Sequence, residues 1–81
     1  MINARIHVRF KSGVLDPQGT AVKGALKQLG FENVVDVRVG KLIEVKLNVE
    51  DEKDAKDEIK SMCEKLLANP VIEDYSFELS V

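Results

Sequence analysis

The stretch Asn3-Ala4-Arg5-Ile6-His7-Val8-Arg9-Phe10-Lys11 decides the fold, because apolar and polar residues alternate along it. A period of two is typical of a β-strand that buries one face and exposes the other. Ala4, Ile6, Val8 and Phe10 are therefore expected to face a core. The basic residues between them and Lys11 point to the opposite side, and Ser12-Gly13 ends the strand.

The segment that follows predicts a helix whose two ends are both marked. Asp16 is suited to cap the first turn, and Pro17 suits the first helical position because its missing N–H has no partner there. Gly30 is expected to supply the left-handed residue at the helix end, with Phe31 packing back onto the last turn. An apolar stripe at helical spacing is expected to face the sheet. Its members are Val22, Ala25, Leu26 and Leu29.

Two more strands and a second helix follow. Val34–Val39 and Leu42–Val49 both alternate, and Gly40 between them predicts the tip of a β-hairpin. A helix is predicted from about Glu52 to Leu67, with an acidic start that complements the helix dipole. Its inner stripe is expected to be Ala55, Ile59, Met62 and Leu66, with Cys63 beside it. After Asn69-Pro70, a last strand is expected to turn Tyr75, Phe77 and Leu79 inward.

The resulting order, β-α-β-β-α-β, predicts one α+β domain over residues 1–81. We expect a two-layer sandwich, with a four-stranded antiparallel sheet covered by both helices on one face. The ferredoxin-like strand order, with the first and third strands central, satisfies the rule of right-handed crossovers.

Composition excludes several functional classes. The chain has 81 residues, of which 44% are apolar and 32% charged, and this balance excludes a disordered tail. A net charge of −2 with interleaved signs gives no reason to expect binding to nucleic acid or to a membrane. No apolar run reaches membrane-spanning length, and the single cysteine, Cys63, suits the cytoplasm.

The residues that could carry chemistry do not converge. His7 and Cys63 are predicted on opposite sides of the sheet, so they cannot form a nucleophile–base pair. No metal-ligand spacing occurs, and Gly13, Gly19 and Gly24 do not have the spacing of a phosphate loop. RNA-binding domains share this element order, but here the outward positions carry charges where such domains carry aromatic residues. No catalytic, cofactor-binding or metal-binding residue is therefore predicted.

The uncovered face of the sheet is polar on every predicted strand. Charges of opposite sign are expected to lie side by side across the strands. Two interpretations remain open, a solvated face with balanced charges and an interface with another subunit.

Three stretches together resemble the PurS family, the small subunits of formylglycinamide ribonucleotide amidotransferase, also called phosphoribosylformylglycinamidine synthase. They are Ser12–Gly19, with its Leu-Asp-Pro-Gln-Gly motif, Leu29-Gly30-Phe31, and Val37-Arg38-Val39-Gly40-Lys41. Their order and spacing resemble that family over essentially the whole chain. One departure is Lys11-Ser12-Gly13, where Lys-Pro-Gly is frequent, and it affects only the stiffness of the loop.

The resemblance implies an assembly subunit in purine synthesis without a catalytic centre of its own. Its partners would be a PurL-like synthetase, which uses ATP and Mg²⁺, and a PurQ-like glutaminase, which releases ammonia from glutamine. It would bridge them, support ammonia transfer, form a homodimer or tetramer, and bind no cofactor itself. The alternative hypothesis is an ACT-like module that binds a small ligand. A third hypothesis is an acylphosphatase, but the sequence lacks the Gly-rich anion loop with a positioned arginine that such an enzyme needs.

Two surfaces are candidates for the interface. One comprises Asp16, Pro17, Gln18 and Gly19, and the other comprises Arg38, Gly40 and Lys41. Helix capping and turn geometry explain Asp16, Pro17 and Gly40 at least as well as binding does. Gln18, Arg38 and Lys41 are less explained by folding and are the stronger candidates.

Overall fold

The computed structural model describes the whole chain, Met1–Val81. Its elements, in chain order, are β1 (Ile2–Phe10), α1 (Pro17–Gln28), β2 (Lys41–Leu47), α2 (Glu52–Met62), a π-helical turn (Cys63–Leu67) and β3 (Glu73–Ser80). None of the helices combines the length and the apolarity that a membrane-spanning segment requires.

The sheet has three antiparallel strands in the order β2-β1-β3. Ile6 at the centre of β1 lies opposite Ile43 on one neighbour and Phe77 on the other. The inward residues of β1 form the middle of the core, and Ile6 is fully buried. The predicted alternation of β1 is therefore confirmed, and the strand is central as expected.

The expectation of a four-stranded sheet is wrong, because Val34–Val39 does not form a strand. β2, predicted to be central, is consequently an edge strand. The predicted hairpin is also absent: a two-residue hairpin turn of the common type needs positive φ, and only Gly13 and Gly30 have it. The amide of Val39 instead donates to the Asp16 carboxylate at 2.7 Å. In a sheet, this amide would donate to a backbone carbonyl of the neighbouring strand.

Both predicted ends of α1 are confirmed. Asp16 caps it, Pro17 opens it, and Gly30 follows its end with φ +97°. The amides of Gly30 and Phe31 donate to the carbonyls of Lys27 and Leu26 at 3.1 and 3.0 Å, as a Schellman end requires.

The apolar stripe of α1, by contrast, does not pack on the sheet as predicted. Gly19 is the only buried residue of the helix, while Val22 and Leu29 are exposed. The buried part of α1 is thus confined to its first turn, and the expectation that both helices cover one sheet face holds for α2 alone. The side chains of Ala55, Ile59 and Cys63, all fully buried, supply that cover.

The second helix continues to the predicted residue, but its last turn widens. The amide of Ala68 donates to the carbonyl of Cys63 at 3.0 Å, five residues back, which defines a π-turn. The wider turn rotates Leu66 out of the predicted stripe, where it is 83% exposed, and brings Leu67 against the core instead.

The molecule is elongated, with extents of 49 × 26 × 14 Å and a radius of gyration of 16.0 Å. A compact chain of this length would have a radius of gyration of about 12 Å. The excess follows from α1 and the segment 31–40, which together contribute a single buried residue, Gly19.

Candidate interaction site at the end of the central strand

The two candidate surfaces of the sequence meet in space at the C-terminal end of β1. The loop that leads into α1 and the segment that leads into β2 cross there, and hydrogen bonds from Val39 to Asp16 and from Arg38 to the end of β1 join them. We call this place, residues 16–19 together with 37–41, the junction.

The carboxylate of Asp16 is the centre of the junction. Its Oδ1 accepts from the amide of Gly19 at 2.9 Å, and its Oδ2 accepts from the amide of Val39 at 2.7 Å. The residue is 4% exposed. These two bonds lower the pKa of Asp16 from its ordinary value of 3.8, with a smaller contribution from the Arg38 guanidinium, while burial opposes the shift. One side chain thus caps α1 and ties it to a segment 23 residues later.

Two glycines permit close approaches of backbone, Gly19 to the segment before β2 and Gly40 to β1. A Cβ atom on Gly19 would overlap the carbonyl oxygen of Val37 and lie 2.8 Å from Oδ2 of Asp16. A Cβ atom on Gly40 would lie 2.6 Å from the carbonyl oxygen of Val8. Both positions therefore exclude side chains because backbone passes directly over them.

Arg38 holds the junction to the end of β1. Its Nη2 donates to the carbonyls of Phe10 and Lys11, at 2.8 Å in each case. Both carbonyls lie where β1 ends, so the guanidinium supplies hydrogen-bond donors beyond the last hydrogen bonds between the strands. The side chain itself remains exposed, and its charge stays at the surface.

The exposed members of the site form one continuous surface. Gln18 and Lys41, from the two separate candidates, line the same small cleft of about 190 Å³. Arg38, Gly40 and Lys41 line an adjoining groove of about 680 Å³. Pro17 lies next to this surface, exposed at the first position of α1.

Pro17 opens α1, and geometry divides the other six predicted residues into two groups. Asp16 and Gly19 hold or permit the crossing of the two segments, and Gly40 permits the close approach to β1. Gln18, Lys41 and the outer part of Arg38 provide amide and cationic groups at the surface. Both oxygens of the buried acid already accept backbone hydrogen bonds, so this carboxylate is committed to holding the two segments together. That the surface contacts a partner stays a prediction.

Arg9 and Asp74, which the sequence did not single out as site residues, also line the larger groove. The alternation of the first strand places Arg9 on the open face, where it lies opposite Asp74 in the register of β1 and β3. What the sequence lacks is any sign that Arg38 reaches the end of β1. That contact spans 28 residues and has no local pattern.

Both the sequence and the fold of this chain are similar to those of known proteins. The family model described as "PurS: Phosphoribosylformylglycinamidine (FGAM) synthase" matches residues 3–81. Phosphoribosylformylglycinamidine synthase subunit PurS of Synechocystis is 49% identical over 96% of this chain and 78% of that protein. The structure of Bacillus subtilis PurS is 44% identical, with a TM-score of 0.89 over all of both chains. A chain of the structure of PurLQS from Thermotoga maritima is 30% identical, with a TM-score of 0.85 over 99% of both.

The contact of Gly19 with Val37 predicts opposite effects for the same substitution at two positions of α1. Gly19→Ala should destabilise the chain by about 1–3 kcal/mol, because the added methyl group overlaps a backbone carbonyl. Gly24→Ala, in the same helix with nothing within 4 Å of its Cβ position, should stabilise it by about 0.5–1 kcal/mol. Urea unfolding at one protein concentration measures both, and equal stability of Gly19→Ala and wild type would show that the crossing is not tight.

The lowered pKa of Asp16 predicts a dependence of stability on pH. Because the folded-state pKa lies below 3.8, the stabilisation by the ionised carboxylate is complete above that pH and is lost as pH falls through the folded-state pKa. Asp16→Asn cannot titrate, so the difference in unfolding free energy between wild type and this variant should shrink below pH 3.8. A difference that stays constant into the most acidic range would contradict the assignment.

Proposed function

Since this chain belongs to the PurS family, we propose that it is the small, non-catalytic subunit of a phosphoribosylformylglycinamidine synthase. The match over residues 3–81 carries this proposal. A chain of the same fold occurs in the Thermotoga maritima structure named PurLQS, and the two chains cover 99% of each other. The protein accordingly acts in purine biosynthesis, in assembly with a PurL-like synthetase and a PurQ-like glutaminase.

The subunit supplies contact surface, and the bond-making groups lie on its partners. ATP, Mg²⁺ and glutamine are bound by those partners and not by this chain. By bridging the synthetase and the glutaminase it supports the transfer of ammonia between them. The junction supports this division, since its buried carboxylate holds backbone in place and its exposed groups, Gln18, Arg38 and Lys41, lie together on one surface. Cys63 is a free, buried thiol, which suits the reducing cytoplasm.

Self-association is the second part of the proposal, as a homodimer or tetramer. Large apolar side chains are exposed along the elongated half of the molecule, among them Leu29, Phe31 and Val35. The outer edge of β2 has no neighbour in the sheet, so a strand of another molecule can pair with it. A second copy that covers this region would bury apolar surface that the single chain leaves in water.

Reconstitution tests the assembly role. Alone, the chain should show neither glutaminase nor ATPase activity. Added to a PurL-like synthetase and a PurQ-like glutaminase, it should raise the glutamine-dependent conversion of formylglycinamide ribonucleotide to the amidine. Product formation with and without the chain measures the effect, and an unchanged rate for the pair of catalytic subunits would contradict the role.

Self-association is tested by size-exclusion chromatography with light scattering. Wild type should elute with the mass of a dimer or tetramer. Val35→Asp, which puts a charge on a side chain that is 86% exposed, should shift the mass toward the monomer. Val71→Asp is the matched control, because Val71 is 80% exposed but lies in the turn before β3. A monomeric wild type at every concentration would overturn this part of the proposal.

A further inference from the structure

The groove beside the junction combines a defined shape with cations that have no carboxylate partner. It has a volume of about 680 Å³ and lies over the end of β1, with Arg9, Arg38 and Lys41 among its lining residues. None of these three has a carboxylate within 4.0 Å, since the chain's two ionic contacts are those of the N-terminus with Glu50 and of His7 with Glu78. The groove therefore holds unpaired positive charge.

Carboxylates near the groove offset only part of that charge. Asp74 is the one acid that lines the groove itself. Asp36 and Glu73 line adjoining clefts, and each already accepts from a backbone amide, that of Val37 at 2.9 Å and that of Asn69 at 2.7 Å. Three guanidinium or ammonium groups thus line the groove with a single carboxylate, and two further carboxylates lie in the clefts beside it.

Arg38 is also held in position before any partner arrives. The two bonds from its Nη2 to the carbonyls at the end of β1 restrict the guanidinium. The N–H groups of Nη1 and Nε remain free to donate to a carboxylate, and a restrained guanidinium loses less entropy on binding than a mobile one. This places one fixed donor group beside two mobile cations, Arg9 and Lys41.

We propose that this groove binds a carboxylate-rich surface segment of one of the two catalytic subunits. The proposal rests on the assembly role above and names the chemistry of the contact. The chain as a whole carries a net charge of −2, so an acidic partner is repelled by most of its surface and directed to this end. The groove would therefore set the orientation of the subunit in the complex as well as contribute to its affinity.

The test is the affinity of the chain for the assembled synthetase and glutaminase at low salt, in the presence of glutamine and ADP-magnesium. Arg9→Gln and Lys41→Gln each remove one groove cation, and neither side chain makes a hydrogen bond or an ionic contact within the chain. Each should weaken binding about tenfold, and the double variant should lose most of the salt dependence of wild type. Arg38 is left intact, because its removal would break two hydrogen bonds at the end of β1.

Arg5→Gln is the matched control, with the same change of charge on the same face of β1. Arg5 lies outside the groove and opposite Glu44 and Glu78, so its loss should leave affinity within about twofold of wild type. If Arg5→Gln and Arg9→Gln weaken binding equally, the effect depends on net charge alone and the proposal is overturned.

Two further outcomes separate this inference from the assembly role. If the complex forms and the groove variants bind as tightly as wild type, the groove is not the contact, while the assembly role stands. If wild type itself does not join the catalytic subunits, the assembly role fails, and the inference fails with it. Circular dichroism and thermal unfolding of each variant confirm that the fold is intact.

Discussion

The carboxylate of Asp16 joins the start of α1 to the segment before β2. One oxygen caps α1 through the amide of Gly19, and the other accepts from the amide of Val39, 23 residues further on. Because both oxygens are used, the loop after β1 and the segment before β2 cross at a fixed distance. Gln18 and Lys41, one from each segment, line the same cleft beside this crossing.

The distribution of apolar residues explains why a small chain of this shape acts with partners. The core consists of the sheet and α2, while α1 buries only its first turn. A helix of 12 residues is marginal in water without tertiary packing, so α1 needs further contacts to contribute fully to stability. A stand-alone domain would bury this apolar surface in its own core, whereas here it is available for association. This is consistent with a subunit that acts by contacting other subunits.

Local signals in the sequence predicted the local structure well. The alternation of β1, the Asp16-Pro17 start of α1 and its Gly30 end each depend on a few neighbouring residues, and all three are confirmed. The strand predicted at Val34–Val39 failed because a strand needs a neighbour, and alternation does not supply one. The apolar stripe predicted for α2 was wrong only at Leu66, where the helical period changes. For the site, capping by Asp16 was predictable, but its bond to Val39 and the contact of Arg38 with β1 are long-range and were not.

Amide hydrogen exchange at Gly19 and Val39 tests the central claim most directly, because both amides donate to the Asp16 side chain. The structure predicts that both amides exchange slowly in wild type. In Asp16→Ala both should lose protection together, while the amide of Ile6 in β1 keeps its own. Unprotected exchange at Val39 in wild type, or protection that survives Asp16→Ala, would contradict the claim that this carboxylate holds the junction together.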